Sequence, residues 1–249
     1  MNRFISLLAL LLLTITSTAE AQLGLSESVA ENPWTGSFAA GLNGKSGNSE
    51  NLDINVTLNL ARDTERANTT ILASYFYSAN ATSTVTDRFF GQARQERKFV
   101  NSPKWSMFVQ SQHEIDRFKA FDYRLALHGG LGYEVFVKED RFLKLRLGAG
   151  ASREFGVPDA EWIPELQFGA DWERQLTDTV KLFASFDFYP DASDLGDFRH
   201  ITNAGFEFLV DAERNINFRT FVINRFDNTP AAGDQSNDID YGMALSIGF

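Results

Sequence analysis

Charged side chains recur through this sequence at every second position of runs whose other positions are apolar. Arg94, Lys98, Arg124, Lys144, Arg146, Lys181, Arg219 and Arg225 share one side of their runs with Asp53, Glu96, Glu134, Glu154, Glu165, Asp171, Glu173, Asp187 and Glu207, and His128 falls on that side too. Alternate side chains of an extended chain point to opposite faces. A sheet curled into a barrel would therefore gather all these groups in one wet interior. Two chemistries fit. Stripes of charge can select a small charged solute, or the same groups can bond across the interior and fill it with salt bridges. The spacing leaves both open.

Hydrolysis is the other chemistry to test. It needs a serine, a histidine base and a polar group to orient it, brought together at one spot. His113, two residues after Ser111, is the candidate near an outer rim, but no Ser-Asn-Gly run accompanies it, and His200 reads as an interfacial or loop residue. The reading is therefore non-enzymatic, with no catalytic residue, metal site or cofactor assigned. Asp191, Asp194 and Asp197 offer oxygen ligands to a divalent cation, but their spacing does not match a calcium loop. They read as a solvated acidic loop that meets lipopolysaccharide through shared ions.

The elements that must position these groups are strands. Leu52, Ile54, Val56, Leu58 and Leu60 alternate with Asp53, Asn55, Thr57 and Asn59, and Tyr123 to Val135 and Leu143 to Ala149 repeat the pattern with glycines on the charged side. The last stretch sets Tyr241, Met243, Leu245, Ile247 and Phe249 against Gly242, Ala244, Ser246 and Gly248. About twelve such runs follow Trp34, each long enough to cross a bilayer tilted. Only Ile216 to Phe226 is ambiguous, with apolar residues on both faces. Short turns are predicted at 62–66, 101–104, 138–141, 175–179 and 211–215, and longer polar loops at 43–49, 78–86, 156–161, 190–198 and 227–238. This asymmetry is the one expected of an outer-membrane barrel, with short periplasmic turns and long external loops. Trp34, Tyr77, Trp105, Tyr123, Trp162, Trp172, Tyr189 and Tyr241 sit near strand ends and suit interfacial girdles.

The remaining composition agrees. Asn2 and Arg3, the apolar run Phe4 to Ile15, and Ala19 and Ala21 form a signal peptide, predicted to be cleaved after Ala21. Residues 22–33 read as a periplasmic tail and 34–249 as one barrel. Cysteine is absent, so disulfides play no part, and a net charge of −10 argues against a nucleic-acid partner. Mean hydropathy is only −0.23, which a barrel tolerates because only alternate positions face lipid.

A tryptophan opening the first strand, the Ser46 to Ser49 turn, the alternating strand after it, and the glycine-rich segments Gly129 to Tyr133 and Leu147 to Gly150 together resemble the salt-induced outer membrane protein family, a domain of unknown function. The resemblance covers Trp34 to Phe249. It implies a bacterial outer-membrane β-barrel and carries over no substrate or catalytic residue. The expectation is an all-β, single antiparallel transmembrane barrel of about twelve strands. It would be either a narrow solute channel or a closed-lumen envelope protein, linked to salt or envelope stress. Its expected partners are outer-membrane lipid, lipopolysaccharide, a small charged solute, and the barrel-assembly machinery through the C-terminal strand. Rival readings are an outer-membrane lipid hydrolase and a soluble periplasmic β-barrel binding protein.

Overall fold

A computed structural model describes residues 34–45, 51–158, 160–231 and 235–248. The signal peptide, the tail, the Ser46 to Ser49 turn and Phe249 lie outside the described residues. The described chain is a closed antiparallel barrel of twelve strands, each hydrogen-bonded to the next in sequence, with the last returning to the first. In chain order they are β1 (Trp34–Lys45), β2 (Asn51–Asp63), β3 (Ala67–Asn80), β4 (Thr84–Phe99), β5 (Ser102–Asp116), β6 (Tyr123–Lys138), β7 (Arg141–Phe155), β8 (Trp162–Thr177), β9 (Val180–Pro190), β10 (Phe198–Asp211), β11 (Ile216–Asp227) and β12 (Asn237–Gly248). Closure removes the open edges that a sheet would otherwise present for aggregation.

The alternation seen in the sequence sorts the two faces. On β12, Tyr241 is 81% exposed, and Met243, Leu245 and Ile247 are exposed beside it, whereas Ala244 and Ser246 are buried. Trp34, Trp105, Leu131, Leu147, Trp162, Phe168, Phe186 and Phe206 also stand exposed on the outer wall. Burying these groups in hydrocarbon is worth about 25 cal/mol per Å² of apolar surface, and water gives them nothing comparable.

Three connections are mostly strand where the sequence reading expects turn or loop, one of them 175–179, since β8 runs to Thr177. The segment 78–86, expected as a loop, is mostly strand: β3 continues to Asn80 and β4 begins at Thr84. The Asn80 carboxamide oxygen accepts from the backbone N–H groups of Thr82 and Ser83 at 3.0 and 2.9 Å. An asparagine-capped turn of this kind needs few residues. Likewise β5 starts at Ser102, so the predicted turn 101–104 is mostly strand, with a register irregularity at Lys98/Phe99 taking up the slack. At the same end, Asp211 accepts from the N–H groups of Glu213 and Arg214, both at 3.0 Å, and tightens the β10–β11 turn.

The seam is the least paired join. Among the described residues β1 meets β12 over four positions, Ser37↔Gly248 to Ala40↔Leu245. By contrast β1 pairs with β2 all the way from Trp34↔Arg62 to Lys45↔Asn51.

Candidate functional site

The inward faces of the strands build a lumen in three storeys. At the end where the short turns lie, a cavity of about 840 Å³ is lined by charges from β4, β6, β7, β8, β9, β10 and β11, among others. At the loop end, a cavity of about 200 Å³ is lined by Glu114, Lys119, Phe121, Arg124, Glu154, Arg199, Arg225 and Asp238, among others. The two share no lining residue. Between them lies a waist of side chains with almost no exposed surface, led by Gln167 at 0% and Tyr189 at 1%.

The waist arises from alternation in the size of inward residues. Gly130 and Gly148 face each other across β6 and β7, and Gly148 pairs with Gln167 of β8. A Cβ on Gly148 would come within 3.0 Å of the Phe108 ring. Gly148 therefore lets the Phe108 side chain lie against bare backbone. From the opposite wall Tyr189 of β9 reaches over, and its hydroxyl accepts from the Nε2 atoms of Gln110 and Gln112 on β5 at 3.3 and 2.6 Å. Three strands separate β5 from β9 in the barrel order, so these bonds cross the lumen. The Tyr189 ring stacks under the Arg199 guanidinium at 4.1 Å and against the His128 ring at 4.9 Å. Phe76 and Phe221, from β3 and β11, meet edge-on at 6.1 Å and, with Phe183, Ala39 and Ala244, form a small apolar cluster inside the barrel.

Most of the charges singled out from the sequence come together in pairs. Arg94 contacts Glu96 at 3.1 Å and Asp171 at 3.3 Å, and Lys144 bonds Glu96 from the other side. Arg146 bonds Asp171 and reaches Asp187 at 3.1 Å. Gly169 is what lets it lie flat along the wall, since a Cβ there would sit 2.8 Å from its Nε. Lys98 pairs with Glu134 at 3.1 Å, and Lys181 with Glu207 at 3.1 Å. His128 Nε2 lies 2.9 Å from a Glu165 oxygen, and that carboxylate also accepts from Ser152 Oγ and, in a two-pronged contact, from Arg199, each at 2.9 Å. Arg124 bonds Glu154 and Glu114 and approaches Asp227. Arg219 is different: its guanidinium lies on the Phe183 ring at 4.0 Å and makes no ion pair among the described residues.

Sequence reasoning singled out these charges but missed the groups that close the lumen. Tyr189 was expected in an outer aromatic girdle and instead points inward. It shares the parity of Lys181 and Asp187, and that signal was available. Gln110, Gln112, Gln167, Phe108 and Arg199 were also missed, as were Arg88 and its partners: Arg88 bonds Asp116 at 2.6 Å and Asp240, across the barrel, at 2.9 Å. The ambiguity of β11 resolves in the same way, since Phe221 and Ile223 belong to the inner apolar cluster.

The hydrolase candidates do not assemble. His113 Nδ1 bonds the Tyr123 hydroxyl at 2.6 Å rather than Ser111, and His200 stacks with Phe226 at 5.1 Å. In the acidic loop, Asp191 and Asp194 accept from the N–H groups of Ser193 and Gly196, and Asp197 accepts from Thr229 Oγ1. The carboxylates thus shape loop turns, and no group of metal-ligating side chains forms among the described residues.

The chain belongs to the family described as a protein of unknown function, DUF481, whose model matches residues 38–249. No curated protein matches it. Similar solved structures include the NanC porin, at 9% identity and TM-score 0.47, covering 86% of this chain and 97% of that one. Another is an outer membrane channel from Pseudomonas putida F1, at 10% identity and TM-score 0.44, covering 92% and 98%. A third is the translocator domain of the autotransporter NalP from Neisseria meningitidis, at 12% identity and TM-score 0.41, covering 99% and 95%.

Proposed function

We propose that this protein resides in the bacterial outer membrane as a narrow solute path held shut at its waist, and that it performs no covalent chemistry. Membrane residence is supported by the outer wall, where large apolar side chains stand exposed on strand after strand, as lipid-facing strands require. In this reading residues 1–21 are the export signal, the terminal strand engages the assembly machinery, and the outer loops meet lipopolysaccharide.

One observation carries the shut path: two wet, charge-lined chambers are separated by a waist in which Tyr189 is bonded across the lumen to Gln110 and Gln112. Twelve strands fall between the eight that side chains can fill and the sixteen that leave an open channel, so a few residues decide which behaviour results. The second reading, a permanently closed envelope barrel, draws support from the cross-lumen pair Arg88–Asp240.

Fractionation combined with heat-modifiable gel mobility tests residence, and planar bilayers test the path. The folded protein is expected in the outer-membrane fraction and silent at low voltage. Recovery as a water-soluble monomer would end the first claim, and steady open steps from the unaltered protein would end the second.

A further inference from the structure

We infer that the larger chamber, at the short-turn end, is a binding site for a small hydroxylated organic acid, anchored by Arg219. The inference deepens the solute-path reading, since it names what the chamber takes up. Every other buried or half-buried arginine or lysine that a strand projects into the lumen has a carboxylate within ion-pair distance. Arg219 has none among the described residues. Its cross-strand partner Glu207 is engaged by Lys181 at 3.1 Å. Holding a guanidinium inside a protein with no carboxylate in contact is costly; Glu207 and Glu173 act on this one only from beyond ion-pair distance, and it lines a cavity large enough for a solute to supply the contact.

The surroundings hold the cation ready. Its flat face rests on the Phe183 ring at 4.0 Å, and a cation over an aromatic face is attracted by the ring quadrupole. The ring can lie there because β10 carries Gly205, where a Cβ would be 2.7 Å from Phe183 Cζ. Stacked in this way, the guanidinium keeps its N–H edge free for a two-pronged carboxylate bond. The same chamber offers a second, complementary group: Asn203 lines it, and its Oδ1, enclosed by protein in this structure, has no hydrogen-bond partner. A carboxylate satisfies Arg219 but not an orphan acceptor; a hydroxyl on the same molecule satisfies Asn203 once its carboxamide turns toward the chamber. Together the two vacancies specify a hydroxy acid over a bare oxyanion or a neutral sugar.

The test is calorimetric titration of the detergent-folded barrel with gluconate, glucose and inorganic phosphate, with folding of each variant checked by heat-modifiable mobility. Gluconate is expected to bind, glucose not, and phosphate more weakly than gluconate. Arg219→Gln is expected to weaken gluconate about tenfold to a hundredfold, the scale of a lost charge-assisted bond. Glu207→Gln keeps Arg219 and frees Lys181, so it should tighten binding, whereas Lys181→Gln releases Glu207 onto Arg219 and should weaken it. Gluconate affinity unchanged in folded Arg219→Gln, or in Glu207→Gln should the first variant not fold, overturns the site. Phosphate binding as tightly as gluconate overturns the hydroxy-acid assignment. Absence of gluconate binding by a barrel that remains silent in bilayers sinks the site alone, whereas conductance by the unaltered protein sinks the closed path instead.

Discussion

Replacing Tyr189 separates the two things its side chain does. Tyr189→Phe removes only the hydroxyl. Gln112 still has the Gln92 oxygen at 3.1 Å, but Gln110 Nε2 loses the acceptor it has at 3.3 Å, so one buried donor is left unmet. The cost is about 1–3 kcal/mol, and the ring still fills the waist. Tyr189→Ala removes a side chain 1% exposed, together with the platform for Arg199 at 4.1 Å. Large aromatic truncations cost about 3–5 kcal/mol, part of which is regained here because the void adjoins two wet chambers and can fill with water. The expected stability order is therefore wild type, then the Phe variant, then the Ala variant, read by urea titration of the barrel in lipid vesicles. Conductance should not follow that order. In planar bilayers the wild type and the Phe variant are expected to be silent, and the Ala variant to show discrete steps. A folded Ala variant as silent as the wild type would refute the assignment of the waist to Tyr189. A Phe variant that conducts like the Ala variant would show that the hydrogen bonds, not the ring, form the seal.

Three further outcomes follow from neighbouring contacts. Gly169→Ala sets a methyl 2.8 Å from Arg146 Nε and 2.6 Å from Asp187 Oδ1, an overpacking expected to cost about 1–3 kcal/mol in the same urea titration; an unchanged midpoint would mean the ion-pair chain moves freely. Glu165→Gln leaves Arg199 and His128 without their shared carboxylate, and breaking a buried pair in this way costs about 3–5 kcal/mol, whereas Glu165→Asp should recover part of it. At the seam, among the described residues, β1 stops pairing with β12 at Ala40↔Leu245 while it stays paired with β2 to Lys45↔Asn51, so the β12 amides over 240–244 that point toward β1 should exchange with deuterium faster than those of β6 and β7; equal protection would show that the barrel closes evenly.

Much of this architecture was legible because a barrel strand carries its signal in every residue pair. Leu52 to Leu60 gave both the period and the face, and the strand count followed from repeating that test along the chain. The ends of the strands were less legible, since whether Ser78 to Thr86 is loop or ladder depends on a single asparagine cap at Asn80 and not on polarity. The candidate site was half legible for a related reason. Alternation tells which residues enter the lumen, and it placed Arg94, Lys144, Arg146, Asp171 and Glu165 there, but it is silent on what they meet on the far wall. Tyr189 and Phe221 show the limit: an aromatic at a strand end, or on a strand apolar on both faces, matches a membrane girdle in one dimension and a lumen seal in three. The decision belongs to the glycines opposite. Gly148 and Gly205 clear space on one wall for Phe108 and Phe183 to occupy. At Phe108 that pairing belongs to the buried waist, whereas at Phe183, among the charges that line the larger cavity, it makes the platform on which Arg219 lies, so what surrounds each glycine–aromatic pair decides whether the lumen fills or stays open there.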